Sequence, residues 1–317
     1  MKNYSGRMDM RMVARLSVLV ISLVSASFLY ASDYTSTKHP IVLVHGFMGF
    51  DKFAGIEYFY RIPSDLTGSG ASVYVVKLSA LNNNEVRGEQ LIEQIEGILA
   101  VTGAEKVNLI SHSQGGLAAR YAASVVPGYV ASVTAIATPN SVDGFPLGEW
   151  VSQDYPPGTS EGDLIAEIVT SLAQLIDLYS GIDQLPQDYN AFLNALNEAG
   201  LAKFNANHPQ ALVTTTCGVG ASVVDYIHYY SWSGAKVATN LFDISDYAMI
   251  MASEITGTDS DGMVTRCGSH LGDVIRDNYP MNHLDEINHL FGFYGLFSTN
   301  PLVTYRAHAN RLKNIGL

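Results

Sequence analysis

The stretch Lys106–Gly116 constrains this chain more than any other. The apolar run Val107-Asn-Leu-Ile110 stops at small residues set around a serine, Ser111-His112-Ser113-Gln114-Gly115-Gly116, and an alanine-rich helical pattern follows. That order reads as strand, sharp turn, helix. In such a turn the central serine is forced into strained backbone geometry and its hydroxyl stands clear of the sheet, while Gly115 leaves room where a side chain would collide. Ser113 is therefore the candidate nucleophile. In the G-x-S-x-G pattern the first glycine is here Ser111, so the flanking strand and helix carry much of the argument.

Elements around the elbow extend the pattern. Ile41-Val-Leu-Val44 is a continuous apolar run of the kind expected for a strand buried on both faces. Residues 71–77 form a second strand candidate, 106–110 a third and 130–138 a fourth, with a helix over 85–101 and another from the elbow to about Val126. Alternating strands and helices predict right-handed crossovers and a mostly parallel sheet covered on both faces. At 317 residues and 47% apolar composition, one α/β domain is expected.

Ligands in such sheets bind at the carboxyl ends of the strands, where Ser113 falls and where the first strand runs into His45-Gly46-Phe47-Met48-Gly49. An acyl-transferring serine needs two backbone N–H groups aimed at the oxyanion. Gln114, after the nucleophile, supplies one; Phe47 supplies the other, with Gly46 giving the backbone room. Residues 141–206 interrupt the rhythm, and Leu164–Tyr179 is a helix with apolar residues around most of its circumference. It fits either a lid that faces lipid when open or an ordinary buried cap helix. Farther on, 211–216 has strand character, and Tyr226, Tyr229, Tyr230 and Trp232 are expected to line core or cleft.

The first 31 residues read as a secretory signal peptide: Lys2, Arg7, Arg11 and Arg15 precede an apolar stretch too short for a comfortable span, with cleavage after Ser27 or Ala31. Export without those four basic residues and Asp9 takes the formal charge from −12 to −15. So acidic a protein is not a nucleic-acid binder, and a soluble monomer is expected. Two cysteines entering an oxidising compartment permit one pairing, so a Cys217–Cys267 disulfide is predicted.

A serine nucleophile needs a base and an acid, which in the α/β-hydrolase arrangement follow in the order Ser, acid, His. Thr258-Asp-Ser-Asp-Gly-Met-Val264 offers the acid on a turn that exposes a carboxylate, and Asn282-His-Leu-Asp285 the base near the C-terminal end. Asp261 and His283 are the choices. His208, His228, His270, His289 and His308 are read as structural, and His112 as packing locally.

Several separated segments carry a resemblance. Val44–Asp51, Ile110–Gly116, Asp261–Cys267, Ser269–Gly272, Arg276–Tyr279, Met281–Glu286 and His308–Asn314 are similar to the secreted, foldase-dependent true lipases of Gram-negative bacteria, bacterial lipase family I, over about 39–317. The resemblance implies the catalytic set Ser113, Asp261 and His283, the oxyanion donors Phe47 and Gln114, and the Cys217–Cys267 bridge. It also implies one structural calcium ion (Ca2+) held by the carboxylates of Asp243 and Asp285 and the backbone carbonyls of His289 and Phe293. Position 289 commonly carries glutamine in that family. A membrane-anchored foldase, export through the periplasm by the type II route, and medium- or long-chain acylglycerols hydrolysed at an oil–water interface are implied as well. A carboxylesterase for soluble esters with a fixed cap shares every catalytic residue, and a hydrolase fold that has lost its chemistry is the remaining alternative.

Overall fold

In the computed structural model the described residues are 33–181, 185–240, 242–289, 291–295 and 298–317; the leader expected over 1–31 lies outside them. The apolar run becomes strand β1, Ile41–Val44, with all four side chains buried. Its alternation serves both faces of a covered sheet: Val42 and Val44 pack with Leu91, Ile95 and Leu109, whereas Ile41 and Leu43 pack with Phe59, Ile110 and Tyr305. A small hairpin follows, β2 (Lys52–Phe53) and β3 (Ile56–Glu57), and then a short helix, Ile62–Gly68.

Next come β4 (Val73–Val75), the helix Asn84–Thr102, β5 (Val107–His112), the helix Gly115–Val125 and β6 (Val130–Ile136). The Asn84–Thr102 helix begins where Asn83 accepts a hydrogen bond from Val86 N–H, and it ends at Gly103, whose φ of 68° suits a residue without Cβ. Sheet order is β4-β1-β5-β6-β8, with β7 (Val223–Val224) and β9 (Asp273–Tyr279) both pairing β8 (Ile227–Gly234). Every pairing in this sheet is parallel except the β7–β8 hairpin. The expected α/β-hydrolase architecture of a mostly parallel sheet with helices on both faces is what forms.

Two expectations need correction. Residues 211–216 are not a strand: Ala211 adopts φ 60°, 212–213 are irregular and 214–216 are bends and a turn, with 212–216 exposed or half-buried. A run of three threonines with no buried alternate face has no sheet to join. The fifth parallel strand is built instead from the aromatic cluster, with Tyr229, Tyr230 and Trp232 buried on β8, while Tyr226 sits on the β7–β8 turn and is 90% exposed.

Residues 141–206 carry four helices, Pro146–Asp154, Ser160–Tyr179, Tyr189–Leu196 and Glu198–Asn207. The second has one face packed on the core through Ala173, with Ile165, Val169 and Ile176 against it, while Leu164, Ile168, Leu172, Leu175 and Leu178 are exposed. Cys217 and Cys267 are bridged, closing a loop of 50 residues. Among the described residues no helix is long and apolar enough to cross a membrane.

Candidate active site

Ser113 stands between β5 and the helix Gly115–Val125 with φ 56°, a left-handed conformation that a serine adopts only when its surroundings impose it. Its N–H is anchored to Ile136 O at the end of β6, 2.8 Å away. Close packing explains the glycines. A Cβ on Gly115 would come within 2.5 Å of the carbonyl oxygens of Val44 and His45, and one on Gly46 within 2.6 Å of Ser113 Cβ. Ser111 is tolerated in place of glycine because its side chain points away from that contact: its buried hydroxyl donates to Thr134 O on β6 at 2.7 Å.

Asp261 and His283 come together across 22 residues. His283 Nδ1 donates to Asp261 Oδ2 at 2.7 Å, and Asp261 Oδ1 accepts Met263 N–H and Val264 N–H. The carboxylate is fully buried, not exposed on its turn as the sequence suggested. Its loop follows the helix Ile244–Thr256, and the His283 loop follows β9. Three hydrogen bonds hold the buried carboxyl group in place and orient the imidazole through Nδ1.

Ser113, Gln114, Phe47 and His283 all line one cavity of about 340 Å³, whose other walls include Phe145, Leu196, Met249 and Val264. The N–H groups of Phe47 and Gln114 have no hydrogen-bond acceptor among the described residues. A second apolar cavity of about 400 Å³ shares Phe47, Phe145 and Met263 with the first and runs under Trp150, Val169 and Phe192.

The loop bearing Phe47 rests on a buried cation. Arg87 donates to Ser79 O (2.6 Å), His45 O (2.6 Å) and Gly46 O (3.1 Å). Burial pushes its guanidinium down to about 10, still charged at neutral pH, and no carboxylate pairs with it among the described residues. His45, beside it, donates from Nδ1 to Gly46 O and accepts Leu78 N–H at Nε2, and burial with Arg87 nearby pushes it down to about 3. Arg87 went unnoticed in the sequence: one arginine on an otherwise ordinary helix carries no signal.

His112 does more than pack. Its ring centroid lies 4.4 Å from that of His283, its Nδ1 bonds Tyr58 Oη at 2.8 Å, and its Nε2 faces Glu286 Oε2 at 3.3 Å. Burial holds the imidazole well below its ordinary range and Glu286 well above its own. His112, His283 and Glu286 each present one ligand atom within 4.8 Å of the others, so this group has metal-binding capacity. His289 lines the cavity, and its Nε2 donates to Glu57 O at 2.8 Å, while its buried Nδ1 has no hydrogen-bond partner among the described residues.

Asp243 and Asp285 are both buried, at the start of the helix Ile244–Thr256 and just past His283. Asp285 Oδ1 has no hydrogen-bond partner, and Asp285 is pushed up to about 7 by burial and by the charges of Asp246 and Asp243. Asp246, a third buried acid, was not singled out from the sequence; its signal was the Asp243-x-x-Asp246 spacing at a helix start.

Residues 39–266 match the alpha/beta hydrolase fold family. Curated triacylglycerol lipases align over most of the chain: that of Vibrio cholerae is 50% identical over 92% of this chain and 93% of its own, and that of Pseudomonas fragi is 42% identical over 90% and 99%. That of Burkholderia plantarii is 38% identical over 90% and 89%. Among solved structures, the mature Bacillus licheniformis lipase BlEst2 shares the fold at a TM-score of 0.59 and 18% identity, covering 87% of this chain and 93% of its own. The elbow, the buried pair behind it and these relatives agree: the chain belongs to the bacterial lipases of the α/β-hydrolase superfamily, serine ester hydrolases.

Proposed function

We propose that this protein is a secreted triacylglycerol lipase acting on medium- and long-chain acylglycerols through Ser113, His283 and Asp261. The observation that carries the proposal is the single apolar cavity lined by Ser113, His283 and the two unpaired amides, with Asp261 bonded behind the base. His283 Nε2 takes the Ser113 proton as Oγ adds to the acyl carbonyl carbon. Phe47 N–H and Gln114 N–H hold the oxyanion that forms. Collapse breaks the bond to the alcohol, which leaves with the proton from His283, and Ser113 is left as its acyl ester. Water, losing a proton to His283, attacks that ester; the fatty acid departs and Ser113 recovers its proton.

The exposed Leu164, Ile168, Leu172, Leu175 and Leu178 on Ser160–Tyr179, a helix whose Ile165 and Val169 line the second apolar cavity, support residues 141–206 as a lid that opens on a lipid surface. The orphaned Asp285 oxygen and the mutual charge of three buried acids support a hard cation there. Asp243, Asp285 and the carbonyls of His289 and Phe293 would hold calcium, with Asp246 beside them. Its charge would neutralise the acids and steady the loop that carries His283. The charged, apolar leader supports export through the periplasm, and the family resemblance supports a foldase partner.

The test is hydrolysis of a long-chain triglyceride emulsion beside a short soluble ester, each with calcium and with a chelator, with Ser113→Ala as blank. Emulsion activity that exceeds soluble-ester activity, falls on chelation and is absent in Ser113→Ala is expected. Turnover of the soluble ester alone, unaffected by chelation, would replace the lipase reading with the fixed-cap carboxylesterase.

A further inference from the structure

We propose that Tyr58 and His112 form a positioning relay that makes the oxyanion donors register with the loop of the base, an inference that rests on the catalytic assignment above. Gly46 N–H donates to Tyr58 Oη at 3.2 Å, and Tyr58 in turn donates to His112 Nδ1 at 2.8 Å. The opposite imidazole nitrogen faces Glu286 Oε2 at 3.3 Å, and Glu286 Oε1 accepts Gly234 N–H at the end of β8. His112 Nε2 and Glu286 Oε2 meet as a close polar contact rather than a hydrogen bond, so the hydrogen-bonded part of the relay runs from Gly46 N–H through Tyr58 Oη to His112 Nδ1. With Nδ1 as acceptor, the donor–acceptor order is consistent from Gly46 to His112.

What this chain of contacts joins is specific. Gly46 immediately precedes Phe47, and His112 lies two residues before Gln114, so the relay grips the backbone next to each oxyanion donor. Glu286 lies three residues after His283 on the same loop. Tyr58, His112 and Glu286 are at most 8% exposed, and they connect segments 54 and 174 residues apart in sequence. Three buried polar side chains are an expensive way to fill a core that aliphatic side chains could fill. Seating of the base loop thereby sets the position of both N–H groups, because Glu286 is packed directly against the His112 ring and the hydrogen bonds from His112 to Gly46 tolerate little displacement before they fail.

Tyr58→Phe is the direct probe, since the ring keeps its contacts with Phe50 and Phe59 and only the hydroxyl is lost. Against a soluble ester, kcat is expected to fall about 10- to 100-fold with KM changed less than about twofold, the loss expected of misplaced rather than missing donors. Affinity for a butylboronic acid, whose tetrahedral adduct on Ser113 places an oxygen in the oxyanion hole, should fall by the same factor as kcat. His112→Asn, whose amide oxygen can replace Nδ1 as acceptor, should keep most of the activity that His112→Leu loses. The double variant Tyr58→Phe/His112→Leu should be no worse than His112→Leu alone.

Should Tyr58→Phe not fold, the comparison of His112→Asn with His112→Leu decides alone. A folded Tyr58→Phe enzyme with kcat within about twofold of the parent, boronate affinity that does not follow kcat, or equal activity of the Asn and Leu variants would overturn the relay. If Ser113→Ala retains ester hydrolysis, it is the catalytic assignment that fails; if it is inactive and Tyr58→Phe is unimpaired, only the relay fails.

Discussion

Arg87 gives the sharpest test of how the loop of Phe47, the proposed oxyanion donor, is held. The carbonyl of Gly46 and the N–H of Phe47 belong to one peptide group, and a trans peptide points them in opposite directions. Arg87 Nη2, 3.1 Å from Gly46 O, therefore aims the Phe47 N–H toward the cavity and polarises it with a buried, unneutralised charge. Arg87→Met removes that support. Ser79 O and His45 O lose charge-assisted partners, at about 1 to 3 kcal/mol each. Removing a buried cation without a counter-charge offsets part of this, so a net destabilisation of about 2 to 4 kcal/mol is expected. Gly46 O keeps its bonds to Gly49 N–H and His45, so the loop is not released altogether. Full loss of one oxyanion donor costs about 100- to 1,000-fold in kcat, and Arg87→Met should approach the lower figure, close to 3 kcal/mol in the barrier. Arg87→Lys, a point charge that cannot span three carbonyls, should lie between, at about tenfold. The assay is kcat and KM on a soluble short-chain ester with Tm measured in parallel. A folded Arg87→Met enzyme with kcat within about threefold of the parent would refute the reasoning.

Other consequences are open to measurement. His308 donates from Nε2 to Thr134 and is pushed down to about 3 by burial and by Arg311; its folded value lies below the unfolded one, so stability is intact above about pH 6.5 and is lost as pH falls toward 3. Between pH 7 and 4.5 this group should remove about 3 kcal/mol, and urea unfolding of His308→Gln should lack that part of the slope; parallel pH profiles would refute it. Reduction of Cys217–Cys267, or a double Cys→Ser variant, should cost about 4 kcal/mol by the chain-entropy argument for a 50-residue loop, read as a lowered denaturation midpoint. Gly115→Ala should lose both activity and Tm, because its Cβ meets two backbone oxygens that cannot move without separating β1 from the elbow; normal activity would show the contact to be soft.

Much of the scaffold was legible because its signals are periodic or local. Ile41–Val44 alternates between two cores, and the helix begun by Asn83 and ended by Gly103 shows its cap and stop in the residues themselves. Ser113, Asp261 and His283 stood out through motif context. Less legible were the groups that act through space. Arg87, Tyr58 and Glu286 are single residues whose partners lie 42, 54 and 174 positions away, and nothing local distinguishes them from solvated or packed side chains. The threonine run at 214–216 misled for the opposite reason: β-branched residues favour strands, yet without a neighbouring edge to pair with they remain a loop.

His283, the proposed base, is tied to Asp261 twice, since besides the side-chain bond its own N–H donates to Asp261 O at 3.0 Å. The backbone half of that attachment does not depend on which side chain occupies position 261. The backbone bond holds the main chain at 283 and the side-chain bond turns the ring, so a substitution at 261 removes only the second of the two attachments. A lineage or a protein engineer can therefore explore the chemistry of the acid without first having to rebuild the place where the base stands.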